Sequence, residues 1–132
     1  MGELVIDAKH ITEFGMYAEN EVLVAGFQFL GVPRITSLII QHQRPSSQLS
    51  ADAYGPYVEL NGVGHYHALS FLNLSETDCI LRIRLTLPDA KEDISIALPS
   101  LSSHQCKLLR ELASLFRKNE TERYFRQARR RL

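Results

Sequence analysis

Hydrophobic and polar positions alternate with period two over most of the first hundred residues, a pattern that predicts strands rather than helices. The clearest run is Cys79 to Leu87. Cys79, Leu81, Ile83, Leu85 and Leu87 point one way, and Arg82, Arg84 and Thr86 the other, as in a strand with one face in a core and one in water. Ile80 interrupts the polar side and marks either a strand end or a partly covered edge. Runs of the same kind at Glu3–Ala8, Glu21–Phe29, Ser37–Gln43, Pro56–Asn61, His65–Leu72 and Ile94–Leu98 predict further strands.

Turn chemistry separates these runs, at Leu30-Gly31-Val32-Pro33, Asn61-Gly62-Val63-Gly64, Ser75-Glu76-Thr77-Asp78 and Pro88-Asp89-Ala90-Lys91. Asn61-Gly62 is the strongest hairpin signal, because both residues tolerate positive φ. Connections this short cannot house crossover helices, so the strands are expected to be mainly antiparallel neighbours. One long polar loop, Arg44 to Gly55, interrupts the meander, and loops of that length in compact domains are usually functional or mobile.

At Pro99 the period changes. Ser102 followed by Gln105 is a capping-box pattern, and Leu108, Leu109, Leu112, Leu115 and Phe116 follow at helical spacing. Fully buried, each of these side chains would contribute about 1.5–3 kcal/mol, well above what propensity gives a helix, so the sheet is expected to hold it. Asn119 reads either as the end of this helix or as a residue within it. Tyr124, Phe125, Ala128 and Leu132 indicate a further helical stretch with a basic back. The expected fold is α+β: a mainly antiparallel β-sheet meander with a C-terminal amphipathic helix packed on it. One domain would span residues 1–118, with a basic helical extension over 119–132.

Composition sharpens this picture in two places. The net charge of zero conceals an asymmetry: from Arg117 onward seven basic residues face Glu120 and Glu122, a net of +5. The preceding 116 residues, with eight basic and thirteen acidic side chains, therefore carry −5. Cys79 and Cys106 are too few for a disulfide framework, and residues 1–10 lack the features of a signal peptide, which points to a reducing cytoplasm. No apolar run approaches the roughly 20 residues that span a bilayer, so no membrane partner is expected.

The chemistry-bearing motifs of common enzymes are missing. There is no phosphate-binding glycine loop, no Gly-x-Ser-x-Gly elbow, no Cys-x-x-Cys pair and no His-Glu-x-x-His helix. His65 and His67 would share a strand face, and His42 on a nearby strand could add a third imidazole for zinc. The plainer reading leaves the pair on a solvated face with Tyr66 in the core, and no metal or other cofactor is assigned. Asp52, Glu59 and Asp78 have no spacing that sets two carboxylates against one substrate. Both cysteines lack a basic cluster and read as small buried hydrophobes. The Arg-rich tail suits nucleic acid or acidic lipid, but it lacks accompanying exposed aromatics, and a solvated or partner-docking helix fits it better.

Several of these segments occur in a telling order. Leu38-Ile39-Ile40-Gln41-His42-Gln43-Arg44 leads into the polar loop. Asp52-Ala53-Tyr54-Gly55-Pro56-Tyr57-Val58-Glu59-Leu60, Gly64-His65-Tyr66, the Cys79–Leu87 strand and the Leu108–Phe116 helix follow. Over residues 20–117 this resembles immunity protein family 10 of bacterial polymorphic toxin systems. It departs from the family in the segment Gly64-His65-Tyr66-His67-Ala68, which is bulkier than a Gly-Tyr-Gly-Gly type, and in the basic tail. The resemblance implies a cytoplasmic antidote that binds and neutralises a cognate toxin domain without catalysis. The candidate contact residues are Gln43, Arg44, Asp52, Tyr54, Tyr57, Glu59 and Tyr66. In the purely structural alternative, Tyr57 and Tyr66 pack in the core and Arg44 pairs with Asp52 or Glu59. A nucleic-acid or regulatory module using the tail is the competing function, and nothing in the chain decides between monomer and dimer.

Overall fold

A computed structural model describes residues 3–45 and 56–131, positions 119–131 through their backbone alone. Nine strands precede one helix: β1 (Leu4–Ile6), β2 (Ile11–Glu19), β3 (Val22–Phe29), β4 (Ser37–Gln43), β5 (Tyr57–Leu60), β6 (Val63–Tyr66), β7 (Leu69–Ser75), β8 (Ile80–Thr86), β9 (Lys91–Ala97) and α1 (Ser103–Arg131). The expected α+β fold, with antiparallel strands and a closing helix, is present.

The strands are shared between two sheets, in the orders β2-β3-β4-β5-β6 and β1-β9-β8-β7. Every pairing is antiparallel except β1 with β9, where Leu4, Val5 and Ile6 run beside Ile94, Ser95 and Ile96. No local signal announces that pair, because its partners lie at opposite ends of the domain.

The chain passes from one sheet to the other inside the run read as a single strand, His65–Leu72. His67 adopts φ 62°, a left-handed backbone that no strand continues through, and Ala68 is buried beside it. The expected strand is therefore two, β6 and β7, in different sheets. A second correction is β2, absent from the expected strands. Phe14, Met16 and Ala18 alternate there with Glu13, Gly15, Tyr17 and Glu19, but the glycine, the outward tyrosine and a bulge between Ile11 and Glu13 blur the period.

The two sheets and α1 enclose one apolar core. It draws Leu23, Phe27 and Ile40 from the first sheet, Leu81, Ile83 and Ile96 from the second, and Leu109, Leu112 and Phe116 from the helix. Phe27 anchors it, with its ring 4.9 Å from Phe14 and 5.8 Å from Phe29. On β8, Leu81, Ile83 and Leu85 are buried while Arg82, Arg84 and Thr86 are exposed, as the alternation predicts. Cys79 departs from it: it is exposed, with φ 54°, in the turn before β8, and is no buried hydrophobe.

The helix begins on the expected capping box. The Gln105 amide donates to Ser102 Oγ (3.1 Å) and the Ser102 amide to Gln105 Oε1 (3.0 Å), which satisfies two otherwise orphaned donors. Leu108, Leu109, Leu112, Ala113 and Phe116 face the core, and Leu115 is partly buried. The helical backbone continues past Asn119 to Arg131, so Asn119 lies within the helix. Among the described residues no helix is long and apolar enough to cross a membrane.

Candidate functional site

The five-stranded sheet turns one face to the core and the other outward. Cross-strand partners share a face, so the pairings fix which residues meet outside. One outward row runs Tyr17, Val24, Gln41, Tyr57, Tyr66 across the strands, and the next runs Gly15, Gly26, Ile39, Glu59, Gly64. Glu13, Gln28 and Ser37 lie beyond the second row, and Glu19, Val22 and Gln43 beyond the first. Three tyrosines, three glutamates and three glutamines are thereby brought onto one face. None of β2–β6 contains a lysine or an arginine.

The β5–β6 hairpin carries Tyr57, Glu59, Gly64 and Tyr66 of this surface and is tied down by its turn. Asn61 and Gly62 have φ 53° and 83°, the positive pair that the sequence predicts. Asn61 Oδ1 accepts from the Thr36 amide (2.7 Å), Thr36 Oγ1 (3.1 Å) and the Ser37 amide (3.3 Å), and Nδ2 donates to the Arg34 carbonyl (2.8 Å). The turn is thus fastened to the segment that leads into β4.

At the other end of the hairpin the Tyr57 and Tyr66 rings pack with centroids 4.9 Å apart, inclined at 52°. Tyr57 lies over Gly64: a Cβ there would fall 2.1 Å from the Tyr57 hydroxyl oxygen, so only glycine leaves the ring its place. Tyr66 is 76% exposed and Tyr17, at the opposite edge, 49%. The expectation that Tyr66 fills the core is corrected. It stands on the sheet's outer face because Tyr57, its partner, does, whereas Val58, the next residue along β5, is fully buried. Tyr57 and Glu59 are half-buried.

Gln43 ends β4, half-buried on the same outer face. Among the described residues Arg44 pairs with Glu111 and not with Glu59. Its Nε and a terminal nitrogen donate to both carboxylate oxygens of Glu111 on α1, at 2.5 and 2.9 Å. This two-pronged bond holds the Glu111 carboxyl below its ordinary range and raises the Arg44 guanidinium. Arg44 therefore fastens the chain just after β4 to the helix. Asp52 and Tyr54 lie outside the described residues.

The three histidines do not converge. His42 pairs with Leu23 on the core-facing side of the sheet and is 2% exposed, His65 is half-buried opposite Val58, and His67 sits in the left-handed link. Among the described residues no group of three His, Cys, Asp or Glu side chains could hold a metal ion. His42 Nδ1 donates to the Gln43 carbonyl (2.9 Å), which leaves Nε2 as a buried acceptor with no partner among the described residues. Burial holds this imidazole below its usual pKa, against the opposing effect of that backbone bond.

The sequence singled out Gln43, Tyr57, Glu59 and Tyr66 as candidates around the polar loop, without setting the two tyrosines on an outer face, and missed Tyr17, Gly15 and Gly26. The one signal that could have revealed them is that both glycines interrupt strand-like runs without a turn around them. The assembled groups can hydrogen-bond, stack and attract cations. No family model, curated protein or solved structure matches the chain.

Proposed function

We propose that this chain is a non-catalytic binding protein, an immunity protein that neutralises a cognate toxin domain in the bacterial cytoplasm by occupying it. The outer face of the β2–β6 sheet is the contact surface. One observation carries the reading: Tyr17 and Tyr66 stand exposed on a sheet whose opposite face is locked into the core. Large aromatics held rigid in water are costly to leave uncovered and are the side chains that most often dominate protein interfaces. Glu13, Glu19 and Glu59 around them would steer a basic surface into place. The toxin as partner rests on the resemblance over residues 20–117.

Co-expression with the toxin domain encoded immediately upstream tests the proposal. Restored growth and co-purification of the two chains are expected. Unrelieved toxicity with every neighbouring toxin domain would overturn it.

A further inference from the structure

Gly15 and Gly26 sit directly opposite one another in the middle of two paired strands, both on the outer face. Glycine weakens a strand and usually marks a place where the fold leaves no room for a Cβ or needs positive φ. Neither reason applies. Both residues have ordinary backbone conformations; a Cβ at Gly26 would meet nothing within 4 Å, and one at Gly15 only Tyr17 Cδ1 at 4.0 Å. Gly64, on the same sheet, is the contrast, because Tyr57 forbids any side chain there. The two missing side chains leave a shallow depression of about 400 Å³, with Glu13, Gln28 and Ile39 around it.

We infer that this depression is a binding groove reserved for an arginine side chain of a basic segment on a partner protein. The glycine pair keeps the groove open, Ile39 offers an apolar wall to an aliphatic stem, and Glu13 in its lining supplies the opposite charge, with Glu59 on the strand beside Ile39. Tyr17, whose Cδ1 lies 4.0 Å from the Cβ position at Gly15, is the aromatic ring nearest that end of the glycine pair and can stack on a guanidinium. The absence of lysine and arginine from all five strands leaves no cation on the sheet to compete for these carboxylates. A lysine ammonium would gain the charge but neither the stacking nor the planar, two-pronged bond. The groove rests on the binding-protein reading only for the identity of its biological partner.

The test uses the full chain with fluorescein-labelled peptides of alternating glycine and arginine, and counterparts with lysine and with glutamate, followed by fluorescence anisotropy. The arginine peptide is expected to bind at least threefold tighter than the lysine peptide and at least tenfold tighter than the glutamate one. Gly26→Val should weaken it at least tenfold while its melting temperature stays level or rises, and Gly15→Ala should act in the same direction. Unchanged binding by both variants, or a fall of several degrees in melting temperature, overturns the inference. So does a parent dimer in sedimentation velocity that Gly26→Val dissociates, which would assign the groove to a second copy of the chain. Gly26→Val rescuing toxin-arrested cells as well as the parent would remove the groove from the toxin contact and leave the immunity reading standing. Loss of rescue by the parent, with arginine-peptide binding intact, would do the reverse.

Discussion

Replacing Asn61 separates two contributions that the hairpin turn combines. Its side chain makes the four hydrogen bonds to Arg34, Thr36 and Ser37, and its backbone occupies φ 53°, a conformation costly to residues with a Cβ. The bonds are exposed to water, and two of them are long, so their joint loss should cost about 1–2 kcal/mol. Asn61→Gly removes the bonds but accepts the backbone, and should show that amount. Asn61→Ala also places a methyl side chain in the left-handed region, adding about 1 kcal/mol. Asn61→Asp keeps the acceptor for the Thr36 and Ser37 amides and loses only the donor to Arg34, for about 1 kcal/mol or less. Urea unfolding at constant m-value reads all three. The expected order of stability is parent, Asp, Gly, Ala. An alanine variant more stable than the glycine one, or a glycine variant within about 0.3 kcal/mol of the parent, would refute the role assigned to this turn.

Three other substitutions have definite outcomes. Glu111→Gln should cost about 1 kcal/mol at pH 7, since the pair with Arg44 is partly solvated. The folded Glu111 carboxyl titrates below its unfolded value, so this stability is full above about pH 5 and lost as pH falls through the folded value. Melting curves of parent and variant should therefore converge as pH falls below the unfolded carboxylate value. His42 is held neutral by burial, so the parent should lose stability as pH drops below about 6.5, where the unfolded imidazole takes up its proton. His42→Leu should shrink the difference in urea midpoint between pH 5.5 and 7.5; an unchanged difference would assign it to other histidines. Glu21, at φ 65° in the turn between β2 and β3, should gain about 0.5–1 kcal/mol on replacement by glycine, read as a raised melting temperature.

Local physics made much of the fold legible before any coordinates. The β8 alternation, the Asn61-Gly62 hairpin and the Ser102–Gln105 box are decided by neighbours in sequence, and each sits where the residues indicate. What stayed hidden depends on contacts between distant segments. The parallel pairing of β1 with β9 joins opposite ends of the domain. The passage between sheets turns on one histidine, His67, adopting a backbone rare outside glycine and asparagine. The candidate face was partly visible, because Tyr57, Glu59 and Tyr66 share one short hairpin. Tyr17 and the glycine pair join it only through the register of β2 on β3, which a bulge obscures. The ion-pair partner of Arg44 was not legible, since Glu111 lies sixty-seven residues away on the helix.

The contact face is tested most directly by a pair of single substitutions on opposite sheets, Tyr66→Ala and Phe71→Ala. Both side chains are exposed, at 76% and 45%, so neither loss should unfold the chain. With the toxin domain that the parent rescues, titration calorimetry should show Tyr66→Ala weakening binding at least tenfold, about 1.4 kcal/mol, and Phe71→Ala leaving it unchanged. Weakened binding by Phe71→Ala with full affinity in Tyr66→Ala would place the contact on the other sheet and contradict the account.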